Sequence, residues 1–471
     1  MVENKFKISA NNEENIARMR GANIAVLGAA RSGLAVAKLL HARGAQVLVS
    51  DIKPIDSTIE KAMKSIPEIE YEFGEHSNKI LEWDMICISP GIPLTIPILR
   101  EAQKLSIPIV GELEVASWFN KAPVCAITGS NGKTTTTSLA GNIFKRHFQR
   151  VIVGGNIGNP LADEIQNLPD PEVCILEVSS FQLETIVNFH PEIAIIMNLS
   201  LNHLDRYRDF GAYVAAKMNI LKNLDKNDIL IYNADDLLLV EEVLRFPGIK
   251  IPFSLRQKLG YGGHWDENQI RIYLEKDYTI APSRFTLKGP HNRYNMIAAS
   301  LLAVLKGIPK RVIKSELENF PGIPHRLEEV STIEGVTFVN DSKATTVSSL
   351  NYALQSFERP IILIAGGIDK GGDFSELNIL LKKRVRAVVL IGKATQRIRE
   401  SWNSIVPIYD AETLEDAVYT SQYFAEKGDV VLLSPACSSF DMFNDYEDRG
   451  NQFKKIVLGL ARQERSKIRV N

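Results

Sequence analysis

One pattern occurs in three successive stretches of the chain: a short run of β-branched residues, a glycine-rich or polar turn, and then a helical pattern of apolar residues. This alternation predicts parallel strands joined by crossover helices. At 471 residues the chain is too long for one ordinary core. We therefore predict an α/β protein of three domains, each with a mainly parallel sheet. The predicted divisions are an N-terminal extension at 1–20 and domains at 21–121, 122–324 and 325–471.

Charge and cysteine content exclude several classes of protein. The net charge of -1 provides no basic surface for nucleic acid or for an anionic membrane. No pair of the four cysteines has the spacing of metal ligands, and so few cysteines are typical of a reducing compartment. No apolar run has the length of a signal peptide core or of a membrane span. We expect a cytoplasmic protein that binds neither nucleic acid nor membrane.

The stretch ITGSNGKTTTTSLAG, residues 127–141, contains the second half of a phosphate-binding loop. Gly132, Lys133 and Thr134 complete the G-K-T part, but Ile127 stands where the usual pattern has its first glycine. A predicted strand precedes the stretch and a helical pattern follows, which is the context that a phosphate loop requires. Lys133 would contact phosphate oxygens and the Thr134 hydroxyl would bind Mg²⁺. The alternative is a polar turn with a lysine facing solvent.

Ligand-type residues also follow the other predicted strands of the central stretch. Glu177 ends the run VCILE, Asn156 lies in a glycine-rich turn, and His203 and Asp205 follow IAIIMN. The carboxyl ends of parallel strands meet at one edge of a sheet, where ligands bind. A carboxylate there is suited to Mg²⁺. A single glutamate at a strand end is a surface residue about as often as it is a ligand. The prediction therefore depends on several such residues occurring together.

Lys217 is unusual because helical spacing places it on a face with Tyr213, Val214, Ile220 and Leu221. A lysine on an amphipathic helix ordinarily extends its ammonium to solvent along the apolar surface. From the residues alone, this ordinary interpretation is favoured over a functional one.

The first stretch contains an incomplete dinucleotide fingerprint. Gly28 and Gly33 with Asp51 match it, but Ala30 replaces the glycine that lets the backbone approach a pyrophosphate. The pattern is weak for NAD and compatible with another nucleotide.

The third stretch places lysines and hydroxyls after strands, and these groups suit a small substrate that carries carboxylates. They are Asp341, Ser342, Lys343, Thr345, Lys370, Ser438 and Ser439.

Together these motifs resemble the Mur ligase family, ATP-dependent enzymes that build the peptide of bacterial peptidoglycan. The family loop T-G-[ST]-N-G-K-T is matched by Thr128 to Thr134, so the missing glycine is the family's own form. LEVSSFQLE, HLDRY, HNRYN, PHRLE and NDSKATT are also similar to family motifs. SPGIP, GELEVA and SPACSSFDMFNDYEDRG are similar to the members that add D-glutamate.

The resemblance implies a Rossmann-like N-terminal domain, a P-loop ATPase-like central domain and a Rossmann-like C-terminal domain. It implies a ligase that joins D-glutamate to UDP-N-acetylmuramoyl-L-alanine through an acyl phosphate, releasing ADP and phosphate. ATP and two Mg²⁺ ions would be required, with a CO2-derived carbamate on Lys217. The enzyme would be a monomer serving cell wall synthesis, and through it cell shape and cell division.

The resemblance also implies roles for individual residues. Catalysis would involve Lys133, His203 and Lys217. The metal ligands would be Thr134, Glu177, His203 and Lys217. ATP would contact Gly129, Asn131, Gly132, Lys133, Thr134, Thr135, Asn292, Asn295, Arg326 and Asp341. The two other substrates would contact Arg31, Ser32, Gly33, Asp51, Ser89, Gly91, Asn156, Ser179, Lys343, Thr345, Lys370, Ser439, Phe440 and Tyr446.

Three positions depart from the family pattern, and other functions stay open. Asn202 stands where an Asp commonly precedes the His, and Arg31 and Ser32 replace the more usual residues of the first turn. The alternatives are an L-alanine-adding or folylpolyglutamate synthetase-like ligase, a kinase or GTPase, an NAD-dependent dehydrogenase, and a regulator that binds nucleotide without turnover. No role is predicted for residues 1–20.

Overall fold

The structure is a computed structural model that describes residues 6–55, 57–64, 66, 68–200 and 206–470. The chain divides into two compact units, Met1–Ser283 with Tyr294–Glu318 and Arg284–Arg293 with Asn319–Asn471. The first unit contains two β-sheets and the second contains one. Three mostly parallel sheets with crossover helices confirm the predicted α/β class of three domains. The residue boundaries given for those domains stay predictions.

The first sheet has five parallel strands. They are β1 (Asn23–Leu27), β2 (Gln46–Asp51), β3 (Glu70–Phe73), β4 (Met85–Ile88) and β5 (Ile109–Gly111), in the order β3-β2-β1-β4-β5. The accompanying helices are α1 (Asn12–Met19), α2 (Arg31–Ala42), α3 (Ser57–Lys64), α4 (Pro97–Lys104) and α5 (Glu112–Trp118). Helix α2 lies directly on the turn after β1, because a Cβ on Gly33 would be 1.8 Å from the Gly28 carbonyl oxygen.

The second sheet has nine strands. They are β6 (Val124–Thr128), β7 (Val151–Gly155), β8 (Val173–Glu177), β9 (Ile193–Ile196), β10 (Ile229–Asn233), β11 (Ile249–Ser254), β12 (Gly262–Asp266), β13 (Gln269–Tyr273) and β14 (Asp277–Ile280). Their order is β14-β13-β12-β11-β10-β9-β6-β8-β7. The helices that follow in this part of the chain are α6 (Lys133–Lys145), α7 (Leu161–Asn167), α8 (Ser180–Leu183), α9 (Phe210–Met218), α10 (Leu237–Val243), α11 (Pro290–Leu305) and α12 (Lys310–Asn319).

The sequence of residues 245–290 is less regular than the repeated strand–turn–helix pattern and predicts no defined elements, but the structure shows this interpretation to be wrong. Strands β11 to β14 occupy most of it, and β12, β13 and β14 form an antiparallel meander at the sheet edge. Their sequences mix glycine, charged and aromatic residues, as in GGHWD and QIRIY. Half-exposed edge strands lack the continuous apolar run that marks a buried parallel strand.

The third sheet has six strands. They are β15 (Glu328–Ile333), β16 (Val336–Asn340), β17 (Ile361–Gly366), β18 (Val385–Ile391), β19 (Ile408–Asp410) and β20 (Val430–Leu433), in the order β15-β16-β20-β17-β18-β19. Only β15 runs antiparallel to its neighbour among these described strands. The helices are α13 (Val347–Gln355), α14 (Asn378–Arg384), α15 (Thr395–Trp402), α16 (Leu414–Phe424) and α17 (Tyr446–Val470). An apolar cluster packs on each face of the sheet.

The described part of the N-terminal extension is built into the first unit. The buried Phe6 ring stacks on Trp118 of α5, with ring centroids 6.3 Å apart. The Asn188 side-chain amide donates to the Ser9 carbonyl at 2.7 Å and to the Asn12 side chain at 2.9 Å. The segment therefore contacts both α5 and the loop before β9. Among the described residues, no helix combines the length and apolar character needed to cross a bilayer.

Candidate nucleotide and substrate sites

The predicted phosphate loop connects β6 to α6. Gly132 precedes the helix with a φ of 85°, and a Cβ there would lie 2.5 Å from the Asn295 side-chain oxygen. Glycine thus lets the loop turn tightly into the helix N-terminus, which presents N–H groups to an anion. Lys133 Nζ folds back over the loop and donates to the carbonyls of Gly129 at 2.8 Å and Ser130 at 3.1 Å. An ammonium therefore lies at the mouth of the loop.

Asn198, which the sequence analysis did not single out, fixes the shape of this loop. Its side-chain oxygen accepts from the Asn131 N–H at 2.9 Å, and its amide donates to the Asn131 carbonyl at 3.1 Å. Ser130 hydrogen-bonds the Tyr213 hydroxyl of α9 at 2.9 Å. Asn198 comes just after the apolar run of β9, so the strand-end pattern that indicated Glu177 could also have indicated it.

Glu177 ends β8, next to the strand that carries the phosphate loop. Asn156, after β7, donates from its side chain to Glu177 Oε1 at 2.8 Å. Glu177 Oε2 is buried and has no hydrogen-bond partner among the described residues. Because an unsatisfied buried carboxylate oxygen is costly, it fits a site completed by a cation. Oxygen ligands of this kind suit Mg²⁺.

Lys217 lies on α9 with its side chain 2% exposed. The interpretation of an ammonium extended to solvent is therefore wrong. Its Nζ lies 4.7 Å from the centroid of the Tyr213 ring. Burial lowers the pKa of Lys217 well below its ordinary value, the Lys133 charge lowers it further, and Glu177 opposes the change. The structure thus brings Lys133, Glu177 and Lys217 into one electrostatic neighbourhood.

His203, Asn202 and Asp205 lie outside the described residues. The predicted role of His203 in metal binding therefore stays a prediction. Within the described ranges, no three His, Cys, Asp or Glu side chains are grouped closely enough to hold a metal ion. A metal site here would need the phosphate loop or substrate oxygens as further ligands.

The other residues predicted to contact ATP occupy defined positions. Thr134 and Thr135 begin α6 and are buried. The Asn295 side-chain oxygen accepts from the Thr136 hydroxyl at 3.2 Å, which places α11 beside α6. Asn292, at the start of α11, donates to the Lys288 carbonyl at 2.7 Å.

Ser179 belongs to a buried polar node between the first two sheets. It caps α8 in a capping box with Gln182. The Gln182 amide donates to Oε1 of Glu112, the first residue of α5, at 2.9 Å. Burial raises the pKa of Glu112 to about 7, while the hydrogen bond from Gln182 opposes the rise. Glu112 stands in the GELEVA motif, but no role was predicted for it.

The first sheet gathers its predicted substrate residues at the ends of neighbouring strands. Asp51, at the end of β2, accepts from the Ala29 N–H of the turn after β1 at 2.7 Å. Ser89, after β4, donates to the Gly28 carbonyl of the same turn at 3.2 Å. Arg31, Ser32 and Gly33 begin α2 immediately afterwards. This arrangement is a strand-edge cleft of the kind that receives nucleotides in open α/β sheets.

The third sheet gathers a second set after its adjacent strands β16, β20 and β17. Lys343 Nζ donates to the Tyr446 hydroxyl at 3.2 Å, and Lys370 Nζ donates to the Thr345 hydroxyl at 3.2 Å. Ser439 is buried. Two lysines beside hydroxyls can bind carboxylates.

One further residue braces that set, and another predicted substrate residue, Phe440, is 69% exposed. Arg449, which the sequence analysis missed, is fully buried and donates to the carbonyls of Ser342 at 2.8 Å and Cys437 at 3.2 Å. It therefore ties together the loops after β16 and β20, and its burial lowers its pKa to about 10.

Asp341, predicted to contact ATP together with Arg326, directly follows β16. It accepts from the Leu327 N–H at 3.1 Å and from the Ser434 hydroxyl at 2.8 Å. Burial raises the pKa of Asp341 to about 7, against those hydrogen bonds and the Arg326 charge.

The fold and these sites define a class of protein: a three-domain α/β protein with a phosphate loop and a buried carboxylate and lysine beside it. Three family models match the chain: Mur ligase MurD-like, N-terminal domain, over residues 22–111; Mur ligase middle domain, over 127–303; and Mur ligase, glutamate ligase domain, over 325–437. The chain therefore belongs to the Mur ligase family, as the motifs indicated.

Relatives that are similar over nearly the full length agree with this assignment, and a solved structure shares the fold. The chain is 41% identical to UDP-N-acetylmuramoylalanine--D-glutamate ligase of Salinibacter ruber, over 93% of this chain and 98% of that one. It is also 41% identical to the protein of the same name from Geotalea uraniireducens, over 93% and 97%. UDP-N-acetylmuramate-alanine ligase from Thermotoga maritima shares the fold, with a TM-score of 0.60 at 20% identity over 93% of this chain and 99% of that one.

Proposed function

We propose that this chain is an ATP-dependent ligase that adds D-glutamate to UDP-N-acetylmuramoyl-L-alanine in the synthesis of peptidoglycan precursors. The relatives named UDP-N-acetylmuramoylalanine--D-glutamate ligase are similar over nearly the full length and support D-glutamate and UDP-N-acetylmuramoyl-L-alanine as the substrates. The observation that carries the chemistry is the grouping of Lys133, Glu177 and Lys217 beside the phosphate loop. A monomeric cytoplasmic enzyme, serving cell shape and division through the cell wall, belongs to the same proposal.

The residues present fit ATP and Mg²⁺. The phosphate loop offers N–H groups and the Lys133 ammonium to phosphate oxygens. The Thr134 hydroxyl and the unpartnered Glu177 Oε2 would hold one Mg²⁺. Bound Mg²⁺ would neutralise charge on the transferring phosphoryl group. Asn292, Asn295, Arg326 and Asp341 are proposed as further ATP contacts.

Lys217 is proposed to act as a carbamate that, with His203, serves a second Mg²⁺. The neutral amine is favoured by burial. Its nitrogen would attack the carbon of CO2, form an N–C bond and lose one proton, which leaves an anionic carbamate. This change would convert a buried neutral amine into an anionic oxygen ligand, and it would explain a buried lysine near a phosphate site.

The remaining residues bind and orient the reactants. The turn after β1, Asp51, Ser89 and Gly91 would bind the UDP part of the acceptor, with Asn156 and Ser179 along its path. Lys343, Thr345, Lys370, Ser439, Phe440 and Tyr446 would bind D-glutamate. Catalysis in this scheme is mainly positioning and electrostatic stabilisation.

The reaction forms an amide in two steps. A carboxylate oxygen of the L-alanyl group attacks the γ-phosphorus of ATP, which releases ADP and leaves an acyl phosphate. The D-glutamate nitrogen then attacks the acyl carbon and loses a proton as phosphate departs. Lys133 would neutralise charge on the γ-phosphoryl group during the first step.

An isotope experiment tests this chemistry. An acceptor with both L-alanyl carboxylate oxygens replaced by ¹⁸O should transfer one ¹⁸O to each released phosphate when ATP and D-glutamate are present. A kinase or GTPase would leave both labels in the acceptor. Phosphate without ¹⁸O, released while the amide forms, would contradict the acyl phosphate.

A further inference from the structure

Arg206, just before α9, hydrogen-bonds the loop that follows β4 in the first sheet. Its Nη1 donates to the Pro90 carbonyl at 2.9 Å, and its Nη2 donates to the Ile92 carbonyl at 3.1 Å. These carbonyls flank Gly91, one of the residues proposed to bind the UDP part of the acceptor. Arg206 itself has no role in the function proposed above.

The same guanidinium also contacts two residues in and just after α8, on the side of the second sheet. Nη2 lies 3.2 Å from the Glu184 carboxylate, and the guanidinium carbon lies 4.1 Å from the centroid of the Phe181 ring. The Arg206 side chain is 13% exposed, so solvent screens these contacts much less than it screens a surface ion pair. Phe181 in turn packs on Tyr207 and Tyr213, the tyrosine that hydrogen-bonds the phosphate loop.

The contacted loop is coupled to the nucleotide turn of the first sheet. The Ile92 N–H donates to the Ser89 carbonyl at 3.0 Å, and the Ser89 hydroxyl donates to the Gly28 carbonyl. A planar guanidinium can bridge two carbonyls at fixed separation, whereas an ammonium on a flexible stem cannot do so equally well. Arg206 therefore constrains both ends of the Pro90–Ile92 segment against the rest of the unit.

We propose that Arg206 is a positioning residue of the UDP-substrate site. It holds the loop after β4 in the conformation that receives the UDP part of the acceptor, and so sets affinity for that substrate without touching ATP or D-glutamate. This inference rests on the proposed function for the identity of the ligand.

The test uses the full chain with Arg206→Gln and Arg206→Lys. Arg208→Gln is the matched control, because Arg208 lies two residues away and is 88% exposed. Calorimetric Kd values are measured for UDP, UDP-N-acetylmuramoyl-L-alanine and a non-hydrolysable ATP analogue. We expect Arg206→Gln to raise both UDP-ligand Kd values about tenfold, as for loss of charged hydrogen bonds. Arg206→Lys should give a smaller rise, and Arg208→Gln none.

A merely structural role predicts another pattern. It would lower the melting temperature or raise the Kd values of all ligands equally. A positioning role predicts instead an unchanged Kd for the ATP analogue and an unchanged KM for D-glutamate. A folded Arg206→Gln variant that binds UDP as the wild type does would overturn the inference. If that variant fails to fold, the same comparison on Arg206→Lys decides. A wild type that binds no UDP would refute the proposed function instead.

Discussion

At Lys217 the chain places a buried amine beside the Tyr213 ring, on a helix whose sequence is that of an ordinary amphipathic helix. Helical spacing predicted Tyr213 and Val214 as neighbours of Lys217, and both are buried on the same helix, whereas the other two predicted neighbours, Ile220 and Leu221, lie beyond its end. Spacing could not predict burial of the amine, because a lysine stem can either follow apolar surface outward or turn inward. That choice depends on the tertiary fold, which buries the amine and brings it within electrostatic range of Lys133 and Glu177 from distant parts of the sequence.

Lys217→Ala should lower kcat at least roughly 100-fold, because it removes a group proposed to stabilise transferring charge. Added short-chain carboxylates should restore part of the activity by replacing the carbamate oxygens. The matched control is Lys222→Ala, five residues further along the chain, whose ammonium donates to the Ile186 carbonyl. Phosphate release measures both variants. Near wild-type activity of Lys217→Ala would mean that Lys217 is not needed for catalysis and has only a structural role.

Glu112 should make the stability of the protein depend on pH. Burial raises its pKa from the ordinary 4.5 to about 7. Between these values the unfolded chain is ionised while the folded chain keeps the proton, so stability falls as pH rises through this window. The largest slope from one such group is about 1.4 kcal/mol per pH unit.

Glu112→Gln should remove that slope, since the glutamine oxygen can still accept from Gln182. Denaturant midpoints of wild type and variant at pH 5, 6, 7 and 8 measure the effect. The variant should gain stability relative to wild type as pH rises to about 7 and no more above it. Midpoint curves that stay parallel across this range would show that Glu112 is ionised in the same way in both states.

Among the elements, the strand ends could be predicted from sequence and the connections between sheets could not. Apolar runs ending in Asp51, Glu177 and Asn340 identify buried parallel strands and the polar edge beyond them. Contacts such as those of Glu114 are invisible in the sequence, because this carboxylate accepts backbone N–H groups of residues 187–189 and the Trp118 indole N–H. Such a site depends on chain segments brought together only by folding.

The N-terminal segment should stabilise the first unit. Phe6→Ala removes a buried ring stacked on Trp118, and large-to-small changes of this kind cost about 3–5 kcal/mol. Lys7→Ala, at an exposed neighbour, should change the free energy of unfolding by less than about 0.5 kcal/mol. Urea unfolding of both variants measures the difference. Equal stability of the two variants would mean that the segment is not part of the folded unit in solution.

For the whole molecule, the class and the family followed from sequence, whereas the grouping of sheets did not. The first two sheets share one compact unit, in which Arg206, Glu112 and Glu114 form hydrogen bonds from one sheet region to the other. The repeated strand–turn–helix pattern predicts three sheets, but it does not indicate which sheets pack together into one compact unit.

The central claim is amide ligation with D-glutamate, and phosphate release tests it most directly. Wild type and Lys133→Ala are supplied with ATP, Mg²⁺ and either UDP-N-acetylmuramoyl-L-alanine or UDP-N-acetylmuramate, across a panel of D- and L-amino acids. We predict release only by wild type and only when UDP-N-acetylmuramoyl-L-alanine is combined with D-glutamate. Release with UDP-N-acetylmuramate and L-alanine but not with D-glutamate, or ATP hydrolysis that needs no amino acid, would contradict it.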